Sequence, residues 1–286
     1  MKSSFSAFVA LFLAIGGTAM AETAVVTQLL PATLSPVVGK WYLSDVRTGG
    51  SASLVDLAGL GGILETGQPL PSGAAKLTTD FTLEAKAEVG TFADFGLASA
   101  FLSDAELGYS YYKQYVSDEQ SNAFAAPSLK LTIQAASSPG NDNYGTLTYE
   151  PYWNMPDGSM NVPTNAWQSV SINSSTGAGA EGYGGWWWDG GFGQDNGAGG
   201  PPLRSLSEWV AAFQASDATD FDNAHIVGLS MGVGTYNQGQ IDYFDNVSIK
   251  SAAGNIDAVY NFEVPEPATM CLLGLGALGL LRKRRA

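Results

Sequence analysis

The sequence predicts an all-β protein, a β-sandwich with one short helix between its late strands. Three observations support this prediction: apolar and polar residues alternate in several segments, turn-forming residues separate those segments, and the apolar fraction is 45%. Alternation with a period of two places one face of a strand on a core and the other in water. Many short strands at this spacing are typical of a sandwich or a barrel. We expect a single domain over residues 22–262.

Ten segments have the pattern or composition of strands. In residues 81–89 and 128–135, apolar and polar residues alternate without interruption. Clusters of Gly, Pro, Asn and Asp, such as 138–143, lie between the segments. The other predicted strands are 38–46, 53–57, 107–116, 144–150, 167–172, 226–233, 241–249 and 256–262.

One segment has a helical pattern instead. Ser205 is followed three residues later by Glu208, which is the spacing of a capping box. The sequence therefore predicts a short helix over 205–214, packed on an edge or an end of the sandwich. Its apolar face is formed by Leu206, Trp209, Val210 and Phe213.

Composition excludes several classes of site. The chain has one Cys and one His, which argues against disulfide frameworks, Cys-based zinc sites and His-rich metal centres. Lys and Arg total 13 against 27 Asp and Glu, and the net charge of −14 argues against nucleic acid as a partner. No arrangement of Ser, His and Asp suggests a nucleophile, so we assign no catalytic residue and predict that the protein is not an enzyme.

The first 21 residues have the pattern of a secretory signal peptide. Lys2 forms a short positive region, residues 5–15 are apolar, and Ala19 and Ala21 are small residues at the positions that a signal peptidase recognises. We expect cleavage after Ala21, which makes signal peptidase a processing partner.

The last residues form a second signal, over 263–286. It contains Pro265-Glu266-Pro267, then an apolar run over 268–281, and finally a basic cluster. The apolar run has 14 residues, fewer than the roughly 20 that a transmembrane helix needs. A basic cluster holds the adjacent end of such a segment in the cytoplasm. The cluster consists of Arg282, Lys283, Arg284 and Arg285.

These three parts, in this order, resemble the PEP-CTERM sorting tail of Gram-negative bacteria. The resemblance implies transient insertion of the C-terminal hydrophobic helix in the inner membrane, and removal of the tail by an exosortase. It also implies delivery to the cell surface or to the extracellular polysaccharide of a biofilm matrix. The remaining residues 22–264 have no cysteine and a net charge of −18, since only eight basic residues face 26 acidic ones. This charge disfavours contact with nucleic acid and anionic lipid.

A second resemblance covers about 45 residues. The predicted helix, residues 224–234 and residues 241–249 with their Asp245-Asn246-Val247 core resemble the closing strands of extracellular jelly-roll domains related to laminin-G and carbohydrate-binding modules. The resemblance implies a jelly-roll sandwich. It implies little about function, because this fold carries many unrelated activities.

Asp245 is the most informative single carboxylate. A regular strand over 241–249 would place it in an apolar row with Tyr243 and Val247, where it must be hydrogen-bonded, paired or bound to metal. Two interpretations remain open. The second resemblance implies a structural Ca²⁺ site at Asp245, since Ca²⁺ prefers oxygen ligands. Alternatively, Asp245 caps loop amides or is turned outward by a β-bulge.

Three consecutive tryptophans lie in the glycine-rich segment 181–193. Side chains of neighbouring strand residues point to opposite faces, so at least one of these tryptophans must be exposed, lie in a loop or meet another surface. In one interpretation the segment binds glycan, with Gln194, Asp195 and Asn196 as further hydrogen-bonding groups. In the other, alternate tryptophans fill the core and the third packs under the helix. The proposed glycan-binding residues are Tyr183, Trp186, Trp187, Trp188 and Asp189.

The function predicted from these features is that of an exported cell-surface or matrix protein, non-enzymatic and associated with exopolysaccharide. Two alternatives remain. A polysaccharide-active hydrolase or lyase on the same fold would need a cleft with two facing carboxylates. A purely structural matrix protein would show neither glycan affinity nor turnover.

Overall fold

The computed structural model describes residues 22–33, 35–135, 144–177, 184–193 and 199–265. These residues form two seven-stranded sheets, three α-helices and a 3-10 turn at Pro151–Asn154. The helices are α1 (Gly62–Thr66), α2 (Ala98–Asp104) and α3 (Leu206–Phe221). The strands are β1 (Glu22–Val26), β2 (Leu29–Leu30), β3 (Trp41–Leu43), β4 (Gly50–Asp56), β5 (Gly73–Thr79), β6 (Ala87–Phe92), β7 (Glu106–Lys113), β8 (Ser128–Gln134), β9 (Tyr144–Tyr149), β10 (Trp167–Asn173), β11 (Trp186–Gly190), β12 (His225–Val233), β13 (Ile241–Ser251) and β14 (Ile256–Phe262).

Sheet 1 is built around β13. One side of β13 pairs with β7, which in turn pairs with β10. The other side is shared, because β5 pairs with residues 241–244 and β14 pairs with residues 247–251. Beyond them, β4 extends the sheet from β5, and β1 runs parallel to β14. The sheet therefore has a junction at Asp245 and Asn246, where β13 changes its partner strand.

Sheet 2 has the strand order β11-β9-β8-β12-β6-β3-β2. Its strands are antiparallel except for the short parallel pair of β2 and β3. In β8, Leu129 and Ile133 point into the core while Lys130 and Thr132 are only half-buried, as the alternating sequence predicts. The face of sheet 2 on which Lys130 and Thr132 lie is turned away from sheet 1 and carries the candidate site.

The core lies between the two sheets and is rich in aromatic side chains. Large aromatic groups bury about 150–250 Å² each and so dominate the hydrophobic free energy of folding. The prediction of an all-β sandwich is confirmed. The largest fully buried side chains include Trp41, Tyr109, Trp186, Trp188, Trp209, Phe213, Phe221, Phe244 and Phe262.

Helix α3 begins at the predicted capping box. Ser205 Oγ accepts the backbone N–H of Glu208 at 3.2 Å, and Glu208 Oε2 accepts the N–H of Ser205 at 2.9 Å. The predicted apolar face is buried. The predicted length was wrong, because α3 continues to Phe221. Asp217 has a non-helical backbone within α3, and the last turn lacks apolar periodicity. The buried side chain of Phe221 holds this turn against the core.

The predicted strand over 81–89 was wrong in its first half. Strand β6 begins at Ala87, and the carboxylate of Asp80 accepts both the N–H and the hydroxyl of Thr82, at 2.8 and 2.6 Å. These bonds favour a turn over a strand, so Phe81 and Leu83 stay exposed. The sequence patterns also did not predict β1, β2, β5, β11, α1 and α2.

Both proposed signals fall largely outside the described residues. The signal-peptide residues Ala19 and Ala21 lie there, as do Glu266, Pro267 and the basic cluster 282–285, whereas Pro265 is described. Within the described ranges, no helix is both long and apolar enough to cross a membrane.

Candidate functional site: a polar groove on sheet 2

The outer face of sheet 2 carries a groove of about 570 Å³. Its volume is within the range of small-ligand sites. Because β8 and β9 direct their apolar residues inward, their outward positions line the groove with hydroxyl groups and one lysine. These residues are Ser128, Lys130, Thr132, Thr146 and Thr148.

A chain of five charges crosses one part of the groove. Arg47 Nη2 lies 2.8 Å from Asp45 Oδ2, and Lys86 Nζ lies 2.8 Å from the same oxygen. Lys86 Nζ is also 3.2 Å from Glu88 Oε2, which in turn lies 2.5 Å from Lys130 Nζ. Each of the three basic groups is therefore held against at least one carboxylate.

Glu88 occupies the centre of this chain because β12 leaves room for it. Gly232 pairs with Glu88 across the sheet, and a Cβ at Gly232 would lie 2.9 Å from Glu88 Cγ. The Glu88 side chain thus crosses β12 and reaches Lys130 on β8, while Ser230 Oγ donates to Glu88 Oε1 at 3.2 Å. Burial alone would raise the pKa of Glu88, but the charges of Lys130 and Lys86 outweigh it and lower the pKa to about 2.

Glu150 and Trp187 form the second feature of the groove. Glu150 Oε2 accepts the indole N–H of Trp187 at 2.9 Å and the hydroxyl of Tyr152 at 2.8 Å. Among the described residues, Glu150 Oε1 has no hydrogen-bond partner. Burial raises the pKa of Glu150, and the two donors oppose this shift. The carboxyl fixes the orientation of the Trp187 ring and keeps one oxygen free to accept further hydrogen bonds.

Tyr236 also lines the groove, and the sequence analysis missed it. Its side chain is 69% exposed and its φ is 65°, a left-handed backbone that bulky residues rarely adopt. The N–H of Tyr236 donates to Leu83 O at 2.8 Å, and Asn122 Nδ2 donates to Tyr236 O at 3.2 Å. An aromatic residue between the turn-forming Gly234 and Gly239 was the only signal in the sequence.

The three tryptophans of β11 divide between the two faces of sheet 2. Trp186 and Trp188 have 0% exposure, and only Trp187 is half-buried on the groove side. Trp209 Nε1 donates to Trp186 O at 2.8 Å, and the rings of Trp188 and Phe213 lie 4.8 Å apart, so α3 covers this part of the core. The prediction that Trp186 and Trp188 contact a glycan was therefore wrong, because neither has any accessible surface.

The remaining members of the predicted glycan site have different outcomes. Asp189 is exposed and lines the groove. Tyr183 and residues 194–196 lie outside the described residues. A glycan-binding role for Trp187 and Asp189 remains a prediction.

Asp245 does not belong to a continuous apolar row, contrary to the sequence-based prediction. A β-bulge with Asn246 at φ 54° changes the parity of β13, so Phe244 and Val247 both reach the core between the sheets. Asp245 Oδ1 accepts the backbone N–H of Phe262 at 2.9 Å, as the capping interpretation proposed. In the described part of the chain, no three His, Cys, Asp or Glu side chains are grouped as metal ligands. A Ca²⁺ site at Asp245 stays a prediction.

A buried lysine supports the loop behind Tyr236. Lys113 is directly opposite Asp242 in sheet 1, and its ammonium donates to the carbonyls of Asn122, Ala123 and Ala125. Burial lowers the pKa of Lys113 and raises that of Asp242. Because Asn122 also bonds to the backbone of Tyr236, Lys113 helps to hold the wall of the groove in place.

Comparisons with known proteins identify the C-terminal signal. Residues 263–285 match the family model of the PEP-CTERM protein-sorting motif, which implies export and association with the cell surface. The predicted resemblance to this sorting tail is confirmed. A search of curated proteins found no match.

Several solved structures overlap with the described sandwich. A family 11 carbohydrate-binding module of a cellulosomal cellulase of Clostridium thermocellum matches with 10% identity and a TM-score of 0.38, over 80% of this chain and 96% of that one. A family 30 module from a cellulosomal cellulase of the same organism matches with 9% identity and a TM-score of 0.33, over 63% of this chain and 76% of that one. The fold assignment rests on the two sheets themselves.

Proposed function

We propose that this chain is an exported surface protein that binds polysaccharide in the groove of sheet 2. The observation that carries the proposal is the pairing of Glu150 with Trp187, which presents an indole ring beside a carboxyl oxygen that has no partner among the described residues. Tyr236, which is exposed, adds a second aromatic ring to the same groove.

The chemistry of a sugar chain fits these groups. A pyranose ring has an apolar face of C–H groups and an edge of hydroxyls. Aromatic rings offer flat apolar surface to the first, and carboxyl and hydroxyl oxygens accept or donate hydrogen bonds to the second. Thr146 and Glu150 place such oxygens beside Trp187.

The same groups favour binding over hydrolysis. A glycosidase needs a second carboxyl that is free to attack the sugar or to activate water. Glu88 also faces the groove, but its two oxygens already accept hydrogen bonds from Lys130 and Ser230 and lie against Lys86. Asp189 is exposed in the groove, but it pairs with Thr146, four residues along the chain from Glu150, which is about 13 Å of extended strand. We therefore propose a binding protein, with the polysaccharide-active enzyme as the alternative.

We further propose that an exosortase in the inner membrane of a Gram-negative bacterium removes the tail, so that the domain is released to the surface or to the exopolysaccharide matrix. The last ladder hydrogen bond joins Glu263 N to Val26 O at 2.9 Å. The sorting tripeptide therefore begins two residues after the final hydrogen-bonded position of sheet 1. Little of the described fold has to open for an enzyme to reach Pro265.

Removal of either exposed ring tests the binding site. We expect Trp187→Ala and Tyr236→Ala each to weaken polysaccharide binding by about tenfold, because a lost ring contact is worth about 1–1.5 kcal/mol. Titration calorimetry of the purified secreted chain against a panel of polysaccharides measures the effect.

Tyr115→Ala is the matched control, since Tyr115 is 61% exposed but lies outside the groove. Equal affinities in the parent and in both groove variants would contradict the proposal. Release of new reducing ends from a bound polysaccharide would favour the enzyme alternative instead.

A further inference from the structure

We infer that Glu88 determines the class of polysaccharide by neutralising Lys86 and Lys130, so that the groove selects neutral glycans over polyuronates. This inference rests on the proposed function. It concerns the charge of the groove, whereas the proposed function concerns its aromatic rings.

Every basic side chain that lines the groove is already engaged. These side chains are Arg47, Lys86 and Lys130. Arg47 binds both carboxylate oxygens of Asp45, at 3.0 and 2.8 Å. Lys86 is shared between Asp45 and Glu88, and Lys130 is bound to Glu88. No cation in the described groove is left to pair with a ligand carboxylate.

The acidic side chains of the groove are not balanced in the same way. Glu150 is bound by two uncharged donors, and Asp189 is exposed. Neither has a salt-bridge partner among the described residues. A uronate that enters the groove would lie near these carboxyl groups without gaining an ion pair. Because its negative charge is not compensated, its affinity is lower than that of a neutral sugar. A neutral chain needs only the hydroxyl and carboxyl acceptors and the unused N–H groups of the lysines.

The position of Glu88 supports a specific role. The Glu88 side chain is only 12% exposed. On β12, Gly232 leaves room for the methylene groups of Glu88, and Ser230 Oγ donates a hydrogen bond to Glu88 Oε1. A buried ion pair of this kind contributes little net stability compared with apolar packing, so stability alone does not account for charged groups at this position.

The test uses the secreted chain with two kinds of probe, a neutral β-glucan or mannan and the polyanion polygalacturonate. For the parent protein we expect binding of a neutral probe that is unaffected between about 50 and about 500 mM salt, and no measurable binding of polygalacturonate. For Glu88→Gln we expect affinity for polygalacturonate to increase by about tenfold or more relative to affinity for the neutral probe, and to fall as salt is raised.

Two further variants complete the experiment, one as a control and one as an independent measurement. Glu88→Gln combined with Lys130→Gln should lose the gain, because the released ammonium is then absent. Asp45→Asn releases Arg47 at a more exposed position and should produce a gain of the same sign, even where Glu88→Gln fails to fold. Polyuronate binding by the parent, or the absence of a gain in both single variants, overturns the inference while glycan binding stands. Failure of the parent to bind any probe overturns the proposed function as well.

Discussion

At Asp245 a single carboxylate closes a gap in sheet 1. On one side of β13, β5 ends and β14 begins at this position, so the N–H of Phe262 has no strand partner there. Asp245 Oδ1 supplies the acceptor, whereas its Oδ2 is buried without a partner among the described residues. Burial raises the pKa of Asp245 to about 7, and the hydrogen bond from Phe262 only partly opposes the shift.

This pKa determines how Asp245 contributes to stability as pH changes. Since the folded pKa lies above the unfolded value, the folded state binds more protons between about pH 4 and pH 7, and the free energy of unfolding falls as pH rises through this window. We expect Asp245→Asn to remove this part of the slope, so that the variant is more stable than the parent at pH 8, by up to about 2–4 kcal/mol. Urea unfolding at pH 5 and pH 8 measures the difference.

The exposed Asp189→Asn provides the control, because it makes the same chemical change away from the buried junction of sheet 1. Asp242 has a raised pKa of the same sign, so a smaller slope should persist in Asp245→Asn. Identical pH slopes for Asp245→Asn and the parent would show that Asp245 is not the source.

At the scale of elements, glycines place the tryptophans of β11. A Cβ at Gly145 would lie 2.2 Å from the ring of Trp188, and one at Gly190 would lie 2.1 Å from it. At these two positions glycine makes room for an indole in the core.

Substitution of one of these glycines tests this account. We expect Gly145→Ala to lower the free energy of unfolding by about 1–3 kcal/mol, because the added methyl group overlaps the Trp188 ring and overpacks the core. Chemical denaturation followed by tryptophan fluorescence measures the loss.

Gly234→Ala is the matched control, since nothing lies within 4 Å of its added Cβ. We expect it to change stability by less than about 0.5 kcal/mol. A Gly145→Ala protein as stable as Gly234→Ala would contradict this packing.

At the scale of the whole molecule, the first and last strands of the described chain are neighbours. Strand β1 pairs in parallel with β14, with Glu22 opposite Ala258 and Val26 opposite Phe262. Strand β1 forms the edge of sheet 1, so the first and last described strands lie side by side at this edge.

Processing at both ends is testable on the exported protein. We expect its intact mass to correspond to a chain that begins at Glu22 and lacks residues 272–286. Replacement of Glu266 by Ala should leave the tail attached, because the sorting tripeptide is then altered. An exported parent protein that still carries residues 272–286 would rule out removal of the tail.

The sequence predicted those parts of the site that depend on local pattern. The alternation in β8 placed Lys130 and Thr132 on the outer face, and the adjacency of Trp186 and Trp187 required opposite faces. It did not predict the pairing of Glu88 with Lys130, which are 42 residues apart, or of Glu150 with Trp187, which are 37 apart. Tyr236 was missed because a lone aromatic residue in a loop carries no periodicity.

Strand periodicity, the capping box at Ser205 and the sorting motif follow from the chain alone, because each depends on residues within a few positions of one another or is recognised as a linear peptide. The groove, its neutralised lysines and the role of Asp245 depend on the folded structure. The groove and its lysines require strands of sheet 2 that are distant in the chain to meet in one register. The role of Asp245 requires the bulge at Asn246, which shifts the register of β13 against β7 by one residue. Register depends on interactions between strands, and the pattern of a single strand does not contain them.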